Sequence, residues 1–593
     1  MPSNPSKAVI NIMVAMWTII STLITRTQGE YCRCSDPNAA CWPTSEDWDA
    51  FNATISGRLI APKPTGSPCH DPQYDAAKCQ TVRNNKRDSY QRADNAGSMQ
   101  YENWEGEGEQ TCATDAPKGS GCHQGRVPVR GVRVEDVDDV QNAIRFATRH
   151  NLRIVVKSSG HDFLGRSAAA GSFLIWMHKL RNITIHDSWA GACGLHREAA
   201  AVTVVGGVPW GEVYDALEGT GYIAVGGMSL TVSAAGGFVQ GGGHGALSPS
   251  FGLAVDNVLE VEVVTADGTL RVANACQEAD LFFALRGGGG GTFGVVTSVT
   301  YKLHRNPANF VGTQLQLDPQ DGAAWTTTTT QEEILTLWSR ETVALDAARW
   351  AGYWSFSSLG FSANFLVPAT YTAASEAFTP VVQALSQIAN VNISLYSITS
   401  YSTFQEWHTL VYNLIFPETH TDYTGSYVVL ASRIIPFSAL DDPRRVAKSI
   451  LAASAVSGDH GMLGHMVIGP GVRAGDRQNQ TLAVTPAWRK GVWHLTTSVR
   501  WNWNATEAET RAARNQARRF TESLQSAFPD SGAYVNEASF DEPHWARSFW
   551  GLQNYARLMA IKSQVDPNGL FVCRQCVGSE LWDDDGNCRH AEY

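Results

Sequence analysis

Four glycine-rich blocks fall between residues 158 and 294 of this chain, and a histidine closes the first of them, Ser158-Ser159-Gly160-His161. The others are Gly226-Gly227, then Gly236-Gly237 with Gly241-Gly242-Gly243 and His244, and last Arg286 to Gly294. A residue without Cβ lets backbone N–H groups close on a pyrophosphate, which is why dinucleotide sites use glycine repeatedly. One such cluster reads as a tight turn in a β-rich fold, whereas four in one region point to a dinucleotide. Gly289-x-Gly291-x-x-Gly294 matches the Rossmann fingerprint in form, yet Val295 to Leu303 alternates like a strand and opens no helix. No glycine run leads into Lys-Ser or Lys-Thr, so a Walker A loop is absent as well. A different dinucleotide scaffold is expected.

The elements around these blocks must hold them in place. Val134, Val137, Val140, Ile144 and Ala147 recur at helical spacing between Val132 and His150, and Leu152 to Val156 reads as a buried strand running into the His161 turn. A strand at Ala201 to Val205, a helix at Trp210 to Leu217 and a strand at Val258 to Thr265 follow, the last turning at Asp267-Gly268 into Thr269 to Val272. From Pro307 to Ser526 glycine thins out, and strand-like and helix-like segments alternate around aromatics such as Trp350, Tyr353 and Trp354, which predicts a second α+β domain. The tail holds a helix, Phe549 to Lys562, and a Pro-Asn-Gly turn at Pro567 to Gly569, and is expected to return to the first domain.

At 593 residues the chain exceeds one ordinary hydrophobic core. With 43% hydrophobic and 17% charged residues it is globular, and a net charge of −11 argues against a nucleic-acid partner. Lys7 followed by the apolar run Ala8 to Thr25 has the layout of a secretory signal peptide, residues 1–29, although its length approaches a short membrane anchor. Cys32, Cys34, Cys41, Cys69, Cys79, Cys112 and Cys122 crowd the start, while Cys573, Cys576 and Cys588 crowd the end. Such clustering predicts disulfide-stapled extensions in an oxidising compartment, with connectivity left open. Cys573-x-x-Cys576 is read as structural, with neither redox nor zinc context. Sequons at Asn52, Asn182, Asn392, Asn479 and Asn504 fit a glycosylated surface. Asp583-Asp584-Asp585 lacks a following ligand pattern and reads as a solvated turn, so no metal is expected.

Several segments together carry a resemblance: Val156-Lys157-Ser158-Ser159-Gly160-His161-Asp162-Phe163-Leu164-Gly165-Arg166-Ser167, the block Gly236 to His244, Arg286 to Val296, and Asn554-Tyr555 with Asp566-Pro567. The chain resembles the berberine-bridge-enzyme-like branch of the vanillyl-alcohol-oxidase flavoproteins, and its start, Cys32-Arg33-Cys34 before Cys41-Trp42-Pro43, resembles the fungal secreted members. The resemblance implies FAD, bonded through the 8α-methyl group to His161. Ser158, Ser159, Gly160, Asp162, Ser167, Gly236, Gly237, Gly243, His244, Val295 and Asn554 match positions expected near that cofactor. Doubly linked members carry a second bond from a Cys, and the matching position here is Ser229, so a single link is expected. Tyr534, in Tyr534-Val535-Asn536, resembles a family tyrosine at the active site and is the candidate base; Glu537 stands where many relatives have an aromatic residue.

The expected architecture is therefore α+β: a two-domain PCMH-type FAD-binding fold with an α+β substrate domain. Its parts are the leader at 1–29, a Cys-rich extension at 30–126, the FAD-binding domain at 127–305, the substrate domain at 306–530 and a segment at 531–593 that completes the FAD domain. The expected activity is dehydrogenation of a small organic substrate, an intermediate of fungal secondary metabolism, with O2 as acceptor. The protein is expected to be a secreted monomer with no stable membrane association. A secreted carbohydrate or alcohol oxidase is the first rival; a flavin-bearing non-redox cyclase or binding scaffold is the second.

Overall fold

The computed structural model describes residues 31–590 except 107, 109, 192–199, 321, 323, 326–327, 416–423, 459–460 and 476–481. The expected leader, Cys193 and the sequon at Asn479 lie outside these residues.

Near the start of the first domain, Asp136 and Asp139 cap each other's backbone reciprocally, and that box begins a helix. The helix accordingly spans Val137–Arg149 (α2), and Val134, expected inside it, lies just beyond strand β2 (Arg130–Arg133). Phe146 of α2 stacks on Phe51 of α1 (Ser45–Thr54) at 4.3 Å, so the extension is built into the first core. Beneath them lies a four-stranded sheet in the order β1-β2-β4-β3, with β1 Leu59–Ile60, β3 Ile154–Lys157 and β4 Phe173–Trp176. β2 and β3 each run parallel to β4. The apolar run Ile154-Val155-Val156 suits a strand covered on both faces, and its C-terminal end delivers the chain to the His161 turn.

A five-stranded antiparallel sheet adjoins it in the order β8-β7-β9-β6-β5, formed by Ile183–His186 (β5), Ala201–Val205 (β6), Val258–Val264 (β7), Leu270–Asn274 (β8) and Val295–Lys302 (β9). α3 (Trp210–Leu217) follows β6, and α4 (Gly237–Gly241) winds the third glycine block into a single short helix. The Gly289–Gly294 stretch connects α5 (Ala279–Leu285) to β9. It thus runs from helix to strand, the reverse of the order a Rossmann turn needs.

The second domain is a seven-stranded antiparallel sheet in the order β13-β10-β12-β11-β15-β16-β14. Its strands are Phe310–Pro319 (β10), Ala351–Ser357 (β11), Gly360–Val367 (β12), Val391–Tyr401 (β13), Tyr427–Pro436 (β14), Met462–Met466 (β15) and Gly491–Trp501 (β16). Helices α6 (Thr328–Ala347), α7 (Pro443–Ser457) and α8 (Glu507–Ala527) pack in sequence, with α8 against β14 and β16. Trp338 of α6 stacks on Phe365 and meets Trp354 and Phe361 edge-on. Because side chains alternate along a strand, Trp354, Phe361, Phe365 and Trp493 mark the helix-covered face and their neighbours point the other way.

The tail lies against the first domain. Its helix α9 (Trp545–Val565) packs on α5 and bends at Gly551, whose φ of 72° breaks the helical path. Trp550 donates to the Gly287 carbonyl at 2.8 Å, and Lys562 to that of Thr292 at 2.7 Å. The two ends of the described residues are joined by pairing of Tyr31–Cys32 with Cys588–Arg589 and by the Cys32–Cys588 disulfide. Cys34–Cys41, Cys69–Cys79, Cys112–Cys122 and Cys573–Cys576 close local loops, and Cys276 is also disulfide-bonded. Asp583 accepts the Asn587 and Cys588 N–H groups, so the acidic run is a turn. Among the described residues no helix is long and apolar enough to cross a membrane.

Candidate active site

A cavity of about 610 Å³ opens between the glycine blocks and the uncovered face of the seven-stranded sheet. On the first side stands the turn after β3. Gly160 takes a φ of 80°, which side chains disfavour, and this reverses the chain so that His161 reaches the cavity wall. The extension clamps this turn from behind. Lys157 donates to the Asn95, Ala96 and Ser98 carbonyls, and Gln100 donates to the Ser159 carbonyl from its side chain and to that of Gly160 from its backbone. Ser158 Oγ donates to the Gly206 carbonyl, while Asp162 accepts from both the N–H and the hydroxyl of Ser167. His161 Nε2 lies 2.6 Å from Thr231 Oγ1.

The same wall continues through Ser229, Gly236, Gly237, Gly290 and Gly291. A Cβ placed on Gly237 or Gly291 would meet no atom within 4 Å, so both backbones face open cavity, as close approach to a dinucleotide requires. The residues present therefore fit FAD. Ser158, Ser159, Gly160, Asp162, Ser167 and His244 also line this space.

Three expected contacts are placed elsewhere. Gly243 packs behind the wall, where a Cβ would strike Phe238 and Ala254 at 2.5 and 2.8 Å. Val295 is buried in the first core with Val264, because β9 is covered on both faces. Asn554 donates to the Val484 carbonyl at 3.1 Å and so ties α9 to a loop.

The opposite wall is made by side chains. Tyr353 and Ser355 of β11, Ser362 and Asn364 of β12, Val428 and Leu430 of β14, and Leu463 and His465 of β15 alternate with the helix-facing aromatics. Thr496, Ser498 and Arg500 continue the pattern on β16. Tyr101 of the extension stacks on Phe163 at 4.3 Å, and both line the space where the walls meet.

At that seam the chain gathers Glu537, His244, His465 and His494. His465 and His494 are directly opposed on β15 and β16. Glu537 Oε2 lies 3.3 Å from His244 Nε2 and 2.8 Å from His494 Nε2. Burial alone would push the Glu537 carboxyl up, but His244 and His494 beside it reverse the effect and hold it well below the ordinary carboxylate range. Burial, followed by the neighbouring histidine, holds His465 well below the ordinary imidazole value, and burial lowers His494 as well. His244 is 6% exposed, so it belongs to the interior and not to a surface loop.

Tyr534 lines the cavity, but it precedes a short 3-10 turn where an ordinary strand position was the alternative to an active-site role. Its hydroxyl accepts from the Gly243 N–H at 3.2 Å and from Asn536 at 2.7 Å. Burial and the Glu537 charge push this phenol up despite those two donors, which keeps it protonated. Tyr534 thus stands at the cavity with its phenol proton held on, and a role as base would require a group bound in the cavity to lower that phenol toward working pH.

Sequence reasoning did not single out Gln100, Tyr101, His465, His494 or the sheet-face residues apart from Tyr353, which it noted only as one of the second domain's aromatics, and it noted Glu537 only for departing from an aromatic. A signal existed on the sheet, where GYWSFS, FSANFLV and HLTTSVR alternate apolar residues with hydroxyl, amide or basic ones.

Residues 128–296 match the family described as FAD binding domain, and residues 533–578 match "Berberine and berberine like". An FAD-linked oxidoreductase of Arthroderma benhamiae is 36% identical, with 97% of this chain aligned to 99% of the relative. FAD-linked oxidoreductase asqF of Emericella nidulans is 34% identical over 98% of this chain and 99% of its own. Among solved structures, the VAO-type flavoprotein MtVAO615 of Myceliophthora thermophila C1 is similar at a TM-score of 0.84 and 30% identity, covering 94% of this chain and all of that one.

Proposed function

Because this chain belongs to the berberine-bridge-enzyme-like, PCMH-type FAD-linked oxidoreductases, we propose that it is a secreted oxidase whose flavin is held by one covalent bond through His161. One observation carries the reading: His161 and glycine blocks spread from residue 158 to residue 294 converge on a single cavity. Ser158, Ser159, Gly160, Asp162, Ser167, Gly236 and Gly237 would hold the cofactor beside His161. Ser229 reaches the same wall, and a hydroxyl there cannot make the thioether that a cysteine would. Gly243, Val295 and Asn554 support the wall from behind. Bound FAD would supply a two-electron acceptor for hydride from a substrate C–H bond, with dioxygen as the final acceptor and hydrogen peroxide as product.

The chain's own groups bind and orient. Val428, Leu430, Leu463 and Tyr353 keep water from the substrate, while Ser355, Ser362, Asn364 and Ser498 offer a few directed hydrogen bonds. Tyr534 ties the tail to the Gly243 loop, and its ring meets His494 of the sheet wall edge-on. A small, largely apolar organic molecule fits this mixture, and an intermediate of secondary metabolism is the substrate class we assign. The row of hydroxyl and amide groups favours the carbohydrate or alcohol rival, which peroxide release on parallel panels of sugars and lipophilic compounds would separate. Export is supported by the disulfides and by the exposure of Asn182, Asn392 and Asn504.

The attachment is tested by precipitating the protein in acid. Yellow flavin should stay with the wild-type chain and wash free from His161→Ala. Flavin released freely from the wild type would sink the covalent assignment.

A further inference from the structure

Glu537 is held by one residue from each side of the seam. A carboxylate only accepts, so its Oε2 receives the Nε2–H of His244, from the third glycine block, and that of His494, from β16. Its Oε1 has no hydrogen-bond partner among the described residues, and the side chain keeps 26% of its surface open where it lines the cavity. Two imidazoles thus fix the carboxylate and leave one oxygen for whatever occupies the space. The neighbouring groups are placed differently. Asp162, the other carboxylate of the lining, spends Oδ1 on the Leu164 N–H and Oδ2 on the N–H and hydroxyl of Ser167. His244 and His465 have Nδ1 buried without a partner, while their Nε2 atoms lie against Glu537 and Thr496. The Tyr534 hydroxyl accepts from Gly243 and Asn536 and donates to the Phe238 carbonyl at 3.4 Å, so it is fully engaged.

We propose that Glu537 is the proton acceptor of the oxidation, taking the hydrogen of a substrate O–H or N–H at Oε1, with His244 and His494 as its positioning residues. The assignment rests on FAD occupying the cavity and does not need the bond to His161. The C–H bond of the carbon that bears the heteroatom breaks, and its electron pair passes to FAD. The O–H or N–H pair becomes the second bond of C=O or C=N, and the proton ends on Oε1. The substrate thus loses the two electrons that FAD gains. As hydride departs, the heteroatom proton becomes far more acidic than a carboxylic acid, so an acceptor that stays ionised is sufficient. Facing Glu537 are His244, His494, His465 of β15, Tyr353 of β11 and Tyr534 of its own turn. Burial raises its carboxyl, but His244 and His494 lower it by more and keep it ionised. The substrate class narrows to molecules with a hydroxyl or amine on the carbon that is oxidised.

Sulfite is the probe that needs no substrate, since it adds to oxidised flavin and bleaches it. A carboxylate beside the reacting atoms opposes an approaching anion, so Glu537→Gln should bind sulfite at least about tenfold more tightly than the wild type. Flavin content and Tm of the variant should match the wild type, because a glutamine oxygen still accepts from the two imidazoles. On any compound that releases peroxide, Glu537→Gln should slow flavin reduction by about a hundredfold or more, and Glu537→Asp by less. Wild-type kcat/KM should stay level from about pH 7 to about pH 5, because the acceptor remains ionised. A fall through the imidazole range would move the role to a histidine and overturn the assignment. Unchanged sulfite affinity in a yellow, folded Glu537→Gln would overturn it too. Colourless wild-type protein would sink the flavin reading itself, and this one with it.

Discussion

The two walls of the cavity are built on different principles. The His161 wall is mostly main chain: its chemistry lies in the absence of side chains at Gly237 and Gly291 and in one imidazole held where β3 ends. The sheet wall is all side chain, assembled by period-two alternation on strands distant in sequence. The first kind of wall tolerates almost no addition, because any atom added occupies ligand space. The second tolerates exchange of one side chain for another, because the strands keep their register through backbone hydrogen bonds and through the apolar face packed on α6 and α8. Cofactor and substrate recognition should therefore be separable by mutation.

The largest expected effect is on the glycine wall. Gly237→Leu meets no protein atom at Cβ, so the fold should survive while flavin uptake falls by on the order of a hundredfold, about 3 kcal/mol. The ratio of flavin to protein absorbance measures this; full flavin content with normal turnover would show that Gly237 does not face the cofactor.

A smaller effect is expected at the seam. Glu102 is buried beside Lys86 and Arg92, and its backbone N–H donates to Ser426, next to β14. Burial raises its carboxyl to about 7 in spite of those cations. An acid whose pKa is higher folded than unfolded binds protons preferentially in the folded state, so its stabilising contribution is complete below about 4.5 and is lost as pH rises through about 7. The Tm should thus rise by a few degrees between pH 7.5 and pH 5, and Glu102→Gln should flatten that rise. A wild-type profile no steeper than the variant's would remove Glu102 as its source.

The smallest effect is expected on the sheet wall. Asn364→Ala should leave flavin content intact and lower kcat/KM by up to about tenfold, the worth of one hydrogen bond to substrate. Steady-state kinetics on any accepted substrate tests this, and loss of flavin in that variant would show that the two walls are not separable.

How legible the site was depended on how each wall is made. Ser158 to Ser167 and the later glycine blocks carry their meaning locally, since an omitted Cβ is visible in one line of sequence. Ser229 was readable for the same reason, as a hydroxyl at a position where a thiol would matter. The helix starting at Val137 was misplaced by a few residues because the Asp136–Asp139 box outweighs the apolar spacing that includes Val134.

What the sequence by itself determined was the family, the cofactor and the residue expected to carry it, all encoded by short contiguous motifs. Tertiary structure alone decided that residues 95–101 of the extension clamp the His161 turn and that Tyr534 is a protonated phenol held by Gly243 and Asn536. It alone brought His244, His465, His494 and Glu537 together. These outcomes depend on burial, on the register that sets His465 opposite His494, and on contacts such as His244 to Glu537 between segments 293 residues apart, and none of these leaves a local trace in the order of amino acids.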